Sequence, residues 1–237
     1  MLYRIAGLTV RMDTFGQTER QARSYGIDTD TPPDVTVRTD PAAFQRKHPH
    51  LSLDECEYLT TGASFSRQLI DFDGLTLHAS AIEVDGYAYL FSAPAGTGKS
   101  THTSLWRSVI GSGRVRVIND DKPAMRLVDG VWYAYGTPWS GMNDAQRNVR
   151  VPIGGICFLE RGDRVEIARL RDFEAACRLL SETPRPREAE RLERLLDLTD
   201  ALVGRIPAWR LVCTPTEEAA RAAILAMTAE PSKGEVT

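Results

Sequence analysis

The sequence predicts an α/β fold built on a mixed β-sheet, and three observations predict it. Short apolar runs joined by two-residue Asp-Gly turns fill most of residues 75–160, which is typical of paired strands. One of these runs leads through a glycine-rich turn, Gly96-Thr97-Gly98, into a helix-compatible stretch. Residues 172–227 then carry the apolar periodicity of helices, so we expect a helical cover at the C-terminal end.

The composition is that of an ordinary globular domain. The 237 residues are enough for one sizeable core, and 42% of them are hydrophobic. A net charge of −3 gives no electrostatic footprint for nucleic acid, and no stretch reaches the roughly 20 apolar residues of a membrane span. The first residues also lack the layout of a signal peptide. The sequence therefore predicts a cytoplasmic protein without nucleic-acid or membrane partners, and it leaves a homo-oligomer open.

Three regions are predicted along the chain. Residues 1–74 form an N-terminal segment packed on the core, residues 75–228 form the main domain, and residues 229–237 form a disordered tail. Periodicity and turn residues predict the elements of the N-terminal segment: a strand over 2–12, a polar loop over 13–42 with a short strand at 35–37, and a helix over 54–70 capped by Asp54.

The main domain is predicted to begin with strands and to end with helices. Asp85-Gly86 and Asp129-Gly130 each join two apolar runs and indicate hairpins. Because a hairpin rather than a helix precedes the glycine-rich turn, antiparallel pairs are expected and the sheet is predicted to be mixed. The predicted strands span 75–84, 87–91, 114–118, 124–128, 131–135, 155–159 and 206–213, and the predicted helices span 101–109, 172–181, 188–203 and 216–227.

The turn over residues 93–101 has the sequence and the strand-to-helix context of a phosphate-binding P-loop. Its two glycines let backbone N–H groups turn inward, and these groups form an anion-binding nest at the start of the helix. Lys99 can then reach the β- and γ-phosphates of a nucleotide, and the Ser100 hydroxyl can bind Mg²⁺. The full pattern has glycine at the first position, where this chain has Ala93. The residues expected to bind the nucleotide are Ala95, Gly96, Thr97, Gly98, Lys99, Ser100 and Thr101.

Two adjacent carboxylates, Asp120 and Asp121, close the apolar strand that follows the P-loop helix. Adjacent side chains at a strand end point to opposite sides. One carboxylate can therefore hold Mg²⁺ while the other accepts the proton of a substrate hydroxyl, and spacing alone does not order the two roles. The alternative interpretation is a solvated Asn-Asp-Asp-Lys turn without a chemical role.

The order of these features resembles the catalytic domain of bacterial HPr kinase/phosphorylase, a family related to ATP-dependent phosphoenolpyruvate carboxykinase. The resemblance covers roughly residues 75–160 and depends on His78-Ala-Ser-Ala, Asp85-Gly86, the P-loop and Asn119-Asp120-Asp121. It implies a mixed-sheet P-loop domain of this type, with ATP and Mg²⁺ as cofactors. It also implies Asp120 as the metal ligand, with Asp121 as the base and His78 facing the γ-phosphate or the acidic pair. The family's N-terminal domain and the glutamate-bearing signature after the acidic pair are not found in this sequence.

Two further stretches are similar to a subgroup of HPr-kinase-like proteins: Asn119–Pro123 and Gly136–Gly141. Some members of such subgroups accompany peptide-modification gene clusters and phosphorylate a serine. The resemblance therefore implies Mg²⁺-dependent transfer of the γ-phosphoryl group of ATP to a serine hydroxyl of a protein or peptide, with Lys99, His78 and Asp121 as the catalytic residues.

Three other functions stay open at the level of sequence. They are a kinase for a small hydroxyl compound such as free serine, a carboxykinase-like lyase, and a nucleotide-dependent binding protein. A GTPase is disfavoured, because residues 119–122 read Asn-Asp-Asp-Lys rather than the guanine-reading Asn-Lys-x-Asp. We expect an acceptor peptide to be held between the N-terminal segment and the loop around Trp139.

Several polar and aromatic residues have both a structural and a functional interpretation. Trp139 either packs as a plug or closes over a ligand. Arg147 and Arg150 are either surface arginines or contacts to phosphate or an acidic substrate. Asp144 could replace the missing metal-binding glutamate, and His102 is expected on the helix surface.

Overall fold

A computed structural model describes residues 1–229 and has the predicted α/β architecture with a mixed sheet. Residues 230–237, which make up all but the first position of the predicted disordered tail, lie outside the described residues. Within residues 1–229, no helix is both long enough and apolar enough to span a membrane.

The N-terminal segment contains a small sheet in the order β1-β2-β3. The prediction of one strand over residues 2–12 was wrong, because Ala6 and Gly7 both have positive φ angles (51° and 79°) and turn the chain into a hairpin. The short strand predicted near residue 35 is confirmed. The strands are β1 (Leu2–Ile5), β2 (Leu8–Arg11) and β3 (Val35–Thr36).

Two short helices stand where the sequence predicted only a loop: α1 (Gly16–Ala22) and the start of α2 (Pro41–Lys47). Each has seven residues, which is too short for a repeating apolar stripe to be recognised. Helix α2 shows a local signal, since the Asp40 carboxylate accepts the backbone N–H of Ala43 at 2.8 Å and proline occupies the first turn.

Helix α3 (Leu53–Leu69) is the predicted long helix, but Ser52 rather than Asp54 is its N-cap. Ser52 and Glu55 form a reciprocal capping box. The Asp54 carboxylate instead accepts the backbone N–H of Gln17 at 2.8 Å. The predicted cap residue therefore fastens the start of α1 to α3.

The main sheet has the order β4-β8-β9-β10-β6-β5-β7, and β12 pairs with both β10 and β11. Strands β6, β10 and β12 run parallel, while β4, β5, β7, β8, β9 and β11 form antiparallel pairs, which makes the sheet mixed as predicted. The strands are β4 (Gly74–Thr76), β5 (Ala79–Val84), β6 (Tyr87–Ser92), β7 (Val115–Asn119), β8 (Ala124–Val128), β9 (Val131–Tyr135), β10 (Arg150–Arg161), β11 (Glu166–Arg169) and β12 (Ala208–Cys213).

The strand predicted over residues 75–84 is two strands with different partners. β4 pairs with β8, whereas β5 pairs with β6 and β7. Leu77 and His78 lie between them, and the backbone N–H of His78 donates to the carbonyl of Glu182 at 3.0 Å. His78 is therefore at a break in the sheet, not within a strand as the sequence predicted.

Helices cover both faces of the main sheet, because alternate residues of its strands belong to two different hydrophobic clusters. Leu90 and Ile156 pack with residues of α5 and α6, whereas their neighbours Phe91 and Cys157 pack with residues of α4 and α7. The helices are α4 (Lys99–Ile110), α5 (Asp172–Ser181), α6 (Ala189–Val203) and α7 (Glu217–Thr228).

Candidate active site

The predicted P-loop connects the carboxyl end of β6 to the start of α4. Gly96 and Gly98 have φ angles of 75° and 112°, which side chains other than hydrogen rarely tolerate. Ala93, at the first position of the motif, is buried and has no positive φ angle. An alanine methyl group is therefore compatible with this position, and the departure from the full glycine pattern carries no backbone strain.

Lys99 is the most enclosed cation of this site, with 8% of its surface exposed. Its Nζ donates to the Ala93 carbonyl at 2.8 Å and lies 3.1 Å from Nε2 of His78. Burial lowers the pKa of Lys99, while the charges of Asp121, Glu182 and Asp120 oppose that shift. An ammonium group has three donors, so one remains for a phosphate oxygen.

His78 lies between one cation and two carboxylates. Its Nδ1 is 3.0 Å from Oε2 of Glu182, and its Nε2 is 3.6 Å from Oδ1 of Asp121. The break between β4 and β5 positions this imidazole, because neither strand's hydrogen bonding includes it. The structure therefore brings together His78, Lys99 and Asp121, the three residues predicted to be catalytic.

Asp120 and Asp121 lie on a turn that the side chain of Asn119 stabilises. Asn119 is fully buried, and its Oδ1 accepts the backbone N–H groups of Asp121 and Lys122 at 2.9 and 2.7 Å. Its Nδ2 donates to the carbonyl of Thr137 at 2.9 Å. The strand end and the turn are thus fixed by one side chain, in the manner of an Asx turn.

The two carboxylates of the pair have different partners. Asp121 accepts hydrogen bonds at Oδ2 from the Tyr58 hydroxyl (2.7 Å) and from Lys122 Nζ (3.1 Å), which leaves Oδ1 toward His78. Asp120 accepts from the Ser80 hydroxyl and, at 2.9 Å, from Nδ2 of Asn143. The carboxylates therefore face different surroundings, one cationic and one with neutral donors.

Ser100 and Asp120 are the oxygen ligands expected for Mg²⁺, Ser100 from the P-loop motif and Asp120 from the family resemblance. Within residues 1–229, both partners of the Asp120 carboxylate are neutral donors and no ion pair neutralises its charge, so its remaining lone pairs can meet a cation. No group of three or more His, Cys, Asp or Glu side chains within residues 1–229 is arranged to hold a metal ion. A few protein oxygens combined with water and phosphate oxygens fit Mg²⁺, which retains water readily.

A cleft of about 640 Å³ opens beside the P-loop, at the carboxyl ends of the parallel strands β6, β10 and β12. Ligands of open α/β sheets bind at this edge. Arg161 donates from Nη2 to the carbonyl of Gly96, so the end of β10 is tied to the P-loop. Pro215, which follows β12, lines the cleft together with Thr214. The cleft is continuous with the loop that would hold phosphate.

The structure places Trp139 and His102 in the core rather than at a ligand or on the surface. Trp139 is buried, donates from Nε1 to Oγ1 of Thr61 at 3.1 Å and stacks on Phe65 with ring centroids 5.0 Å apart. It therefore packs as a plug under α3. His102 was wrongly expected on the surface: it is buried and accepts from Trp106 Nε1 at 3.1 Å, and burial lowers its pKa to about 4.

The three charged residues that follow the Trp139 loop are engaged elsewhere. Arg147 forms an ion pair with Glu83 at 2.6 Å. Arg150 lies over the Tyr133 ring, 4.6 Å from its centroid. Asp144 accepts from Gln21 Nε2 at 2.6 Å, and its neighbour Asn143, rather than Asp144, contacts Asp120.

The contributors to the site that were missed at the level of sequence include Tyr58, Ser80, Asn143, Arg161 and Glu182. Ser80 lies within the His78-Ala-Ser-Ala block, so its position relative to His78 was a usable signal. Tyr58 and Glu182 come from elements 63 and 61 residues away from Asp121. Only the tertiary fold brings them there.

The comparisons with known proteins show distant structural similarity. No protein-family model matches the chain, and no curated protein matches it. Among solved structures, the chain is similar to the Hpr(Ser) kinase/phosphatase from Coxiella burnetii, with 13% sequence identity, a TM-score of 0.35, and coverage of 65% of this chain and 93% of that chain. A relation this distant is not by itself an argument about activity or substrate.

Proposed function

We propose that this protein is a Mg²⁺-dependent phosphotransferase that moves the γ-phosphoryl group of ATP to a serine hydroxyl of a protein or peptide. The observation that supports it best is the convergence of Lys99 and Asp121 on His78, at the end of a P-loop with two left-handed glycines. A phosphate-binding loop, a cation and a free carboxylate oxygen are the parts that phosphoryl transfer to a hydroxyl requires.

The nucleotide is proposed to lie across the P-loop and the adjoining cleft. Backbone N–H groups at the start of α4 and the Lys99 ammonium would hold the β- and γ-phosphates. The cleft volume of about 640 Å³ is within the range of small-molecule sites and would hold the nucleoside, with Arg161 and Pro215 among its walls.

Mg²⁺ would be held by Ser100 and Asp120 together with water and the phosphates. When bound, the ion would neutralise charge on the phosphate oxygens during transfer. Asp120 suits this role better than Asp121, because Lys122 already lies 3.1 Å from the Asp121 carboxylate and a second cation there would be repelled.

Asp121 is proposed as the base that receives the proton of the acceptor hydroxyl, at Oδ1. Tyr58 and Lys122 hold the other oxygen of the carboxylate, so its orientation is fixed before the acceptor arrives. As the hydroxyl oxygen bonds to the γ-phosphorus, the bond from that phosphorus to the β-phosphate oxygen breaks, and ADP leaves with the electron pair.

The acceptor is proposed to approach along the edge where α3 meets the loop after Trp139. There Tyr58 accepts the backbone N–H of Gly141 at 2.8 Å while donating to Asp121, so this edge directly borders the base. A carboxykinase-like reaction is less well supported, because Arg147 and Arg150, which the sequence offered as contacts to phosphate or an acidic substrate, instead contact Glu83 and Tyr133.

Mass spectrometry of serine-containing peptides incubated with the protein, ATP and Mg²⁺ tests this proposal. We expect one added phosphate on a serine, with equimolar ADP, and loss of both in Asp121→Asn. Phosphorylation of free serine alone would favour the small-molecule kinase, and phosphoenolpyruvate formed from oxaloacetate and ATP would favour the lyase. ATP binding without any transfer would favour a binding protein.

A further inference from the structure

Glu182 contacts His78 at two points. Its Oε2 lies 3.0 Å from Nδ1 of the imidazole, and its backbone carbonyl accepts the backbone N–H of His78 at 3.0 Å. Glu182 follows the last residue of α5, and its own backbone N–H donates to the carbonyl of Leu179. Its side chain is only 19% exposed. Glu182 is therefore held at the end of α5, and its contact with His78 is shielded from much of the surrounding water.

The partners of the imidazole determine which nitrogen carries its proton. Lys99 Nζ lies 3.1 Å from Nε2, and a protonated lysine has hydrogens to donate but no lone pair to accept with. Nε2 must then present a lone pair. In the neutral ring the proton is consequently on Nδ1, where the Glu182 carboxylate accepts it. With the proton on Nδ1, His78 donates to Glu182 and accepts from Lys99, so the hydrogen bonds of these three side chains are compatible.

We propose that Glu182 is a positioning residue that keeps the proton of His78 on Nδ1, so that Nε2 accepts from the Lys99 ammonium and holds it at the phosphate end of the P-loop. The role in nucleotide binding rests on the proposed function, whereas the proton position does not. Without the Glu182 carboxylate, the Nδ1 proton loses its acceptor, whereas a proton on Nε2 has the Asp121 carboxylate 3.6 Å away. A proton on Nε2 would prevent that nitrogen from accepting from Lys99.

The position of the proton can be measured directly by long-range ¹H–¹⁵N NMR of the histidine rings, without nucleotide. The chain has 4 histidines, and loss of one ring signal in His78→Gln assigns His78. At a pH where the ring is neutral, we expect the Nδ1–H form in the wild type. Glu182→Gln retains a carbonyl acceptor and should keep this form, whereas Glu182→Ala should shift the proton to Nε2.

Two controls separate this effect from a general loss of structure. Glu193→Ala removes an exposed carboxylate from α6 and should leave the His78 signals unchanged. The signals of buried His102, whose Nε2 accepts from Trp106, should keep the Nδ1–H form in every folded variant. A wild-type His78 with its proton on Nε2, or a folded Glu182→Ala variant that keeps the Nδ1–H form, would overturn the proposal.

The functional consequence is measured as ATP affinity. We expect Glu182→Ala to weaken ATP binding on the order of tenfold, similar to the loss of outer partners of metal-binding histidines, while Glu182→Gln stays within about threefold of the wild type. If the NMR result holds but wild-type protein does not bind ATP, the proposed function fails and the proton assignment stands. If ATP binds but the Nδ1–H form is absent, the proton assignment fails and the nucleotide site of the proposed function stands.

Discussion

Lys99 donates to the carbonyl of Ala93 at 2.8 Å, so the lysine of the P-loop closes the loop onto its own first residue. This contact does not involve the Ala93 side chain, which explains how alanine can stand where the full motif has glycine. It also positions the ammonium before any phosphate is present. The P-loop is therefore preorganised by a backbone carbonyl on one side and by His78 on the other.

Lys99→Ala is expected to reduce ATP affinity below detection by calorimetry, because Lys99 is the only lysine or arginine in the loop sequence over residues 93–101. The fold should survive, since the substitution removes a buried charge whose desolvation is unfavourable. Lys47→Ala, which removes an exposed lysine of α2, is the matched control. Unchanged ATP affinity in folded Lys99→Ala protein would rule out a nucleotide site at this loop.

Asp120→Asn is expected to raise the Mg²⁺ concentration needed for half-maximal activity, because the site loses its charged oxygen ligand. The amide oxygen can still accept from Asn143 while the amide NH₂ donates to the Ser80 hydroxyl oxygen, so the local structure should persist. A Mg²⁺ titration of ATP turnover measures the effect. The same Mg²⁺ dependence as in the wild type would remove Asp120 from the metal site.

Asp121→Asn is expected to leave ATP affinity nearly unchanged and to lower turnover about 10²–10⁴-fold, the usual contribution of a general base. The contrast between binding and turnover distinguishes this variant from Asp120→Asn. Single-turnover phosphotransfer and ATP calorimetry on the same preparation provide both numbers. Near-normal transfer would mean that the acidic pair is a structural turn, the alternative that the sequence left open.

Local signals explain why much of the fold could be predicted from the sequence. The hairpins at Asp85-Gly86 and Asp129-Gly130 were predictable because both Asp residues and both Gly residues have the positive φ angles that this turn requires. The same reasoning overlooked Ala6-Gly7, where alanine adopts a positive φ without an Asn or Asp to signal it. The P-loop was predictable because its chemistry and its geometry depend on consecutive residues.

The remaining parts of the site depend on contacts between distant segments. The sequence over 75–84 does not reveal the break between β4 and β5. The break arises because the two ends of this apolar run pair with different strands. Glu182 and Tyr58 resemble any polar residue near the end or on the side of a helix. Burial of His102 was missed for a similar reason: its position becomes internal only when Trp106 and Phe91 surround it.

Tyr58→Phe is expected to lower phosphoryl transfer by about tenfold while ATP affinity is unchanged. The variant removes one of the two donors that hold Asp121 and leaves the Gly141 N–H without its partner. Loss of these hydrogen bonds should also lower the free energy of unfolding by about 1–2 kcal/mol. Parallel denaturation and single-turnover measurements check both parts, and an unchanged transfer rate would show that Lys122 alone suffices to orient the base.

Glu57 is a buried carboxyl group whose pKa is raised from 4.5 to about 7 by desolvation, against the hydrogen bond from Thr18. Because the folded state holds this proton more tightly than the unfolded state, the group makes the protein less stable as pH rises from about 4.5 to 7. His102 has the opposite effect: its lowered pKa makes the protein less stable as pH falls from 6.5 toward 4.

Glu57→Gln is therefore expected to become more stable relative to the wild type as pH increases. A shift of about 2.5 pH units corresponds to about 3 kcal/mol, so the difference in unfolding free energy between variant and wild type should change by that order between pH 4.5 and 8. Urea denaturation at several pH values measures it, with Glu193→Gln as the exposed control. A difference that stays constant with pH would mean that Glu57 is ionised in the folded protein at pH 5. A cation or water would then reach Oε1 of Glu57, for which residues 1–229 provide no hydrogen-bond partner.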